Sequence, residues 1–390
     1  MFQAATDEDI WLMADKLSQH AGTKAQLELQ EKAFGLSRNS MLGILSSLTL
    51  RLYVKPAGCN TYDSMHCYYS NGTANFELHL ILQAMATQLK IGFAQLFAFC
   101  ECDWRAPRHS KIKASSVFAP AREHKDSFKA MASEIILVYP LIRHLIETVV
   151  APSGLLGPQI SSFRAMCLCL DTLTDIKMSH KVLESQWTLL QQRQNTHLQL
   201  FVAAYGLEEV KPKHHFSLHI PGQLKRDGVL LDLFVCERKH RSAKRHASGI
   251  DNTVAFERSV LARVLLEQVN ETPTSFDDCL MSASVACPEI AIAVGCAQAL
   301  VANSMKSAFV QFSNGDVLFN ATVAMVVLAC IQADAKFLLL VRPFNFVCLH
   351  GAGKLWKASK DIAVFEPQTG FSQPSTWTYQ EDGLLLTLAK

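Results

Sequence analysis

Apolar residues recur at helical spacing through the first two thirds of the chain and in short alternating runs through the last third. Thr6 with Asp9 three positions on has the spacing of a capping box, and Ile10, Leu12, Met13 and Leu17 follow on one face, so a helix starts there. A second helix is expected over 25–34, stopped by Gly35. Residues 48–54 alternate like a strand that ends at Pro56 and Gly58, and 59–62 form a shorter strand-like piece leading into Asp63. Residues 76–99 are apolar nearly all round, which predicts one long buried helix. Helices are then expected over 124–150, with a kink at Pro140, over 160–174, and over 180–205 with Gly206 as the stop. A further helix should open at Glu237 and continue, after a Ser-Gly-Ile interruption, through 254–269.

Residues 271–278 read as a linker, and beyond them the period changes. Runs at 308–312, 317–321, 323–331, 337–342 and 344–349 are β-branched, aromatic and apolar. Turn signals separate them at Asn314-Gly315, Ala333-Asp334 and Gly351 to Gly353, and Asn-Gly is a hairpin signal. The region ending in 377–388 should be a small antiparallel barrel or sandwich. The fold class is α+β, mostly α.

Composition narrows the picture only slightly. The 390 residues are 49% hydrophobic, enough for two or three domains with sizeable cores. Lys and Arg number 37 against 35 acids, a net charge of +2, so only local clusters can argue for nucleic acid. Twelve cysteines include two Cys-x-Cys pairs, Cys100/Cys102 and Cys167/Cys169, and no Cys-x-x-Cys. That usage reads as free thiols in a reducing compartment rather than a zinc site. The acidic start lacks an apolar leader. No uninterrupted run reaches the length of a membrane span: 280–302 comes nearest but holds Pro288 and Glu289, so it reads as a buried helix and the protein as soluble.

Candidate chemistry gathers at a few places. Asp63 and His66 stand just ahead of a Ser-Asn-Gly turn and a long helix, where an acid can help hold a divalent ion. Glu237 could supply a partner carboxylate. Around it Arg238, Lys239, Arg241, Lys244 and Arg245 could form a phosphate-binding surface, or Glu237 could simply pair with Arg241. The loop 101–113 carries Arg105, Arg108, His109, Lys111 and Lys113 around Trp104; it is either solvated or a contact to a phosphate backbone. His215 and His219 share a helix face, but no acid lies where a zinc site of that spacing would need it. The β-rich end shows no acid or histidine constellation, which suits an interaction or structural module.

Taken together, Asp63-Ser-Met-His66 with Asn71-Gly72 and Glu77, then Lys213-His-His215, His219-Ile-Pro221, Gly228, and Glu237-Arg238 with Lys244 resemble the latter part of a CACTA (En/Spm)-type DNA transposase. The resemblance covers roughly 30–265. It implies a partial ribonuclease-H-like core with a large all-helical insertion. The domains would then be a helical segment 1–57, a partial core 58–123 with Asp63, a helical insertion 124–210, a return to the core 211–270 with Glu237, and the β module 280–390. Asp63 would be the second acid of a metal-binding triad, at a strand end, His66 its neighbour, and Glu237 the last acid. Mg²⁺ or Mn²⁺ would be the cofactor, DNA the partner, oligomers allowed, and the nucleus the compartment. The first acid is missing ahead of Asp63, which implies DNA binding with strand cleavage impaired. The alternative from the residues alone is a non-enzymatic helical and β interaction or structural protein, in which Asp63 and Glu237 are ordinary ion-pairing residues.

Overall fold

The computed structural model describes residues 6–34, 36, 38, 51, 53–56, 61–102, 104–105, 112–179, 181–232, 243–250, 255–271, 279–307, 310–319, 323–334, 336–367, 376–380 and 385–388. The chain divides into two compact units, Met1–Tyr62 and Asp63–Lys390.

In the first unit, helix α1 spans Asp7–Ser18 and α2 Lys24–Phe34. The expected capping box is present: Thr6 Oγ1 accepts from Asp9 N at 3.1 Å, and the Asp9 carboxylate accepts from Thr6 N at 2.9 Å. Arg51 forks onto the Asp15 carboxylate at 2.6 and 3.0 Å and lies 5.3 Å over the Trp11 ring. Arg51 and Tyr53 have helical backbone, which corrects the strand expected over 48–54; residues 48–50 and 52 lie outside the described residues. An exact period of two was too short a run to outweigh this tertiary pairing.

The second unit begins with a π-helical turn, Met65–Tyr69, followed by α3 (Thr73–Leu89) and α4 (Phe93–Glu101). The single helix expected over 76–99 is therefore two, bent by 105°. Lys90 takes a left-handed conformation at φ 60°, and Ile91 N closes back on Met85 O at 3.3 Å. Gly92 then starts the next helix, its N–H held by Gln95 Oε1 at 3.0 Å. After the short α5 (Ala114–Val117), α6 spans Ala132–Leu145 and runs on through a second π turn, Ile146–Val150. Its start is later than the expected 124, because Glu134 folds back to accept from Met131 N at 2.7 Å and from Arg122 at 2.7 and 2.8 Å. The helical run Ala132–Ser153 is long and apolar enough to cross a membrane, contrary to the sequence expectation, but 61% of its most apolar window is buried inside the protein.

Helices α7 (Gly157–Met178) and α8 (Glu184–Tyr205) lie against each other, and Gly206 ends α8 at φ 92° as expected. Two short helices follow, α9 (Pro212–Ser217) and α10 (Ile220–Asp227), then α11 (Phe256–Glu271). Among the described residues from 61 to 271 the only β structure is an isolated bridge at Arg105; of the strand expected over 59–62, Thr61 and Tyr62 are not strand and 59 and 60 lie outside the described residues.

From 279 onward the chain is mostly antiparallel sheet. Strands β1 (Cys279–Met281), β4 (Ser304–Ser307) and β5 (Val310–Ser313) form one sheet in the order β1-β4-β5. The larger sheet holds β2 (Ser284–Val285), β3 (Leu300–Ala302), β6 (Val317–Phe319), β7 (Val323–Ala333), β8 (Lys336–His350), β9 (Gly353–Ala358), β10 (Ala363–Phe365), β11 (Thr376–Tyr379) and β12 (Leu385–Leu388). Its order is β11-β12-β9-β8-β7-β3-β2, with β10 on β8 and β6 on β7. The order is open among the described residues, a curled sheet rather than a closed barrel. Bulges at Val327/Ala329 and Phe346/Cys348 mark where the two longest strands bend. Trp356 anchors the core, its Nε1 donating to Thr387 Oγ1 at 2.8 Å.

Two expectations change here. The run 280–302 is not one buried helix; it is three short strands, β1, β2 and β3, and helix α12 (Pro288–Val294), on which Ile292 is 80% exposed. Pro288 sets the first turn of α12 and Gly295 ends it at φ 67°. Asn314-Gly315 is a tight turn but not a hairpin: β5 pairs β4, β6 pairs β7, and the turn carries the chain from one sheet to the other. Gly315 N donates to Val327 O at 2.8 Å, and Asp316 accepts from Ser313 N at 2.8 Å.

Candidate functional site

Asp63 caps the π-helical turn instead of ending a strand. Its Oδ2 accepts from His66 N at 2.8 Å and lies 2.5 Å from His66 Nδ1, while Oδ1 accepts from Met65 N at 3.3 Å. The His66 side chain is 41% exposed. The turn is held by burial of Met65, Cys67, Tyr68 and Tyr69. Ser64, buried beside Asp63, donates from both N (3.1 Å) and Oγ (3.0 Å) to Leu231 O, a partner 167 residues away. The polypeptide thus returns to Asp63 shortly before Glu237.

The second wall comes from α9. Lys213 Nζ donates to Ser70 O at 2.8 Å. Burial lowers the Lys213 pKa, while Cys67 and Asp63 pull it back up. Burial, reinforced by Asp63, pushes the Cys67 thiol up to about 12, so it is a neutral packing group and not a nucleophile. His214 Nδ1 accepts from Lys211 N at 3.0 Å, and its ring lies 4.4 Å from that of Phe201. Burial, then His197, depress His214 to about 4, so it is neutral near pH 7. His215 and His219 share a face as expected, with their Nε2 atoms 3.1 Å apart.

Sequence reasoning treated the helix after the turn as plain packing and, though it named Glu77 in the transposase-like pattern, gave that carboxylate no role. Glu77 is fully buried; Ser162 Oγ donates to its Oε1 at 2.6 Å, and His197 Nε2 lies 2.6 Å from its Oε2. Ser162 and His197 each bind the carboxylate rather than one another, and neither reaches solvent, so this is a core network and not a nucleophile with its base. An acid inside an otherwise apolar helix was the available signal.

The predicted cations separate. Arg105 bridges backbone to backbone with Trp377 (2.8 and 2.9 Å) and lies 5.3 Å over the Tyr379 ring, fastening its loop to β11. Arg245 pairs with Glu267 of α11, whose other oxygen takes His246 Nε2 at 2.9 Å, while Lys244 is exposed. Glu237, Arg238, Lys239, Arg241 and Arg108 lie outside the described residues, so the Asp63–Glu237 pairing has no geometry here. Among the described residues no group of three His, Cys, Asp or Glu side chains could hold a metal ion. No protein-family model, curated protein or solved structure matches the chain.

Proposed function

We propose that this chain is a transposase-derived DNA-binding protein, with a ribonuclease-H-like ancestry whose activity is Mg²⁺- or Mn²⁺-dependent cleavage and transfer of DNA strands, impaired here, and with the nucleus as its compartment. One observation carries the reading. Segments remote in sequence that bear the transposase-like residues meet at one place: Lys213 holds Ser70 across 143 residues, and Leu231 is held by Ser64 beside Asp63. Asp63 and His66 then stand where the chain re-enters just ahead of the basic stretch containing Lys244.

Duplex DNA should bind with an affinity that falls at least roughly tenfold between about 50 and 200 mM salt, and Lys244→Ala should weaken it and lower the salt slope. Any Mg²⁺- or Mn²⁺-dependent nicking of supercoiled plasmid should disappear in Asp63→Ala while DNA binding persists. Absence of salt-dependent DNA binding sinks the reading.

A second reading, a non-enzymatic helical and β scaffold, is favoured by the lack of a sheet among the described residues from 61 to 271. It expects neither DNA binding nor nicking.

A further inference from the structure

We propose that the cavity in the elbow between α3 and α4 binds a small, uncharged aromatic molecule of about two fused rings, held by one hydrogen bond to His79. The elbow is the 105° bend after Leu89, and residues 123–128 close its third side. Gln83 Nε2 pins that segment by donating to Lys125 O at 2.7 Å. Phe128 stacks on Phe118 at 5.8 Å, and Phe93 meets Phe118 and Phe128 edge-on at 5.7 and 6.3 Å. The cavity so framed measures about 350 Å³. A cavity of about 150 Å³ holds one benzene, so two fused rings fit here with room for a substituent.

Three observations set the chemistry of the occupant. First, Leu82, Ala86, Phe93, Leu96 and Phe128 line the cavity, so it selects apolar surface, and the two phenyl rings favour a flat aromatic partner. Second, of the polar residues that line it His79 alone is buried, at 8% exposed. Among the described residues no hydrogen bond reaches the His79 ring, yet neither of its nitrogens is sealed from water. A buried histidine normally finds a protein partner. This one keeps a donor and an acceptor for whatever enters the cavity, which a ligand hydroxyl or ring N–H can use in place of water. Third, the site offers no buried charge. Burial lowers the His79 pKa, with Asp126 opposing, so the ring is neutral near pH 7. The exposed rim carries Glu123 and Lys125, one charge of each sign. A charged ligand would give up its hydration with no buried opposite charge to receive it, whereas an uncharged one avoids that cost.

None of the lining residues belongs to the transposase-like pattern, so this site stands or falls independently of DNA binding. The probes are 2-naphthol, naphthalene, which lacks the hydroxyl, and 2-naphthoate, which carries a charge. Titrated into the full chain and followed by calorimetry and by its own fluorescence, 2-naphthol should fill one saturable site, and 2-naphthoate should bind at least about tenfold more weakly. A Cβ at Gly92 would meet only Gln95 Oε1, at 3.7 Å, so a larger side chain there has open space to enter. Gly92→Leu and Ala86→Leu, which fill the cavity, should each weaken 2-naphthol at least about tenfold, with thermal midpoints checking that each variant folds. His79→Phe should weaken 2-naphthol by about fivefold to tenfold and leave naphthalene unchanged or tighter, because only the hydroxyl loses its partner. The site is overturned by the absence of saturable 2-naphthol binding, or by binding unchanged in the two folded cavity-filling variants. Naphthoate binding as tightly as naphthol overturns the uncharged class, and an equal effect of His79→Phe on naphthol and naphthalene overturns the hydrogen bond.

Discussion

A single missing methyl group decides how closely the turn after Asp63 can fold against the start of α3. At Gly72 a methyl would collide with two backbone groups, Tyr68 C and Cys67 O, and backbone cannot swing aside as a side-chain tip can. Gly72→Ala should therefore cost about 1–3 kcal/mol, comparable with overpacking a core, read as a lower urea midpoint at unchanged slope. A midpoint within experimental error of the parent would show that the turn relaxes freely. The transposase-like pattern implied that His66 sits beside Asp63, and the two side chains do meet. The need for Gly72 was not, since its φ of −95° is open to any residue and the constraint lies in the Tyr68 backbone. Nor could spacing reveal that Lys213 would meet Ser70.

At the level of whole elements, α3, α7 and α8 are tied by the Glu77 carboxylate, one contact from each neighbour. Glu77→Ala should leave Ser162 and His197 without their acceptor and destabilise the protein by about 3–5 kcal/mol. Glu77→Leu with Ser162→Ala and His197→Phe, which removes the whole network, should cost less than that single change. A triple variant as unstable as Glu77→Ala would instead place the loss in the shape of the core. The stop of α8 at Gly206 was readable; the left-handed Gly228 that ends α10 was not anticipated as a stop. The break after Leu89 was hidden because a lysine, not a glycine, takes the left-handed position at φ 60°. The Asn314-Gly315 turn was placed correctly and its partners were not, because pairing belongs to the sheet and not to the turn. Outside the helical part, the α+β division of the chain followed directly from the change of hydrophobic period.

Across the second unit, contacts among the described residues fasten the curled sheet to the helices, two of them in particular. Arg105 bridges to Trp377 of β11, and the β8–β9 turn lies on α6, where the His350 ring stands 5.6 Å from His144 and Gly351 leaves no room for a side chain beside His144 and Thr148. His144 is 6% exposed, and burial, then His350, depress its pKa to about 4, with Glu147 opposing. A histidine held neutral in the fold takes up its proton first when unfolded. Its contribution is complete above about pH 6.5 and is lost as pH falls toward about 4. His214 has the same sign. Between pH 7 and 5 the protein should lose on the order of 2 kcal/mol for each of the two, measured by urea unfolding, and His144→Phe should flatten part of the slope. A stability flat over that range would mean these rings are hydrated. The fastening has a further bearing on how this chain can change over generations. A linker rich in polar residues looks like a seam where one half might be traded for another, yet each half carries the other's fittings: an arginine clasp in one, a glycine notch in the other. Shuffling at that seam would strand both, so the helical and sheet parts are bound to be inherited as a pair.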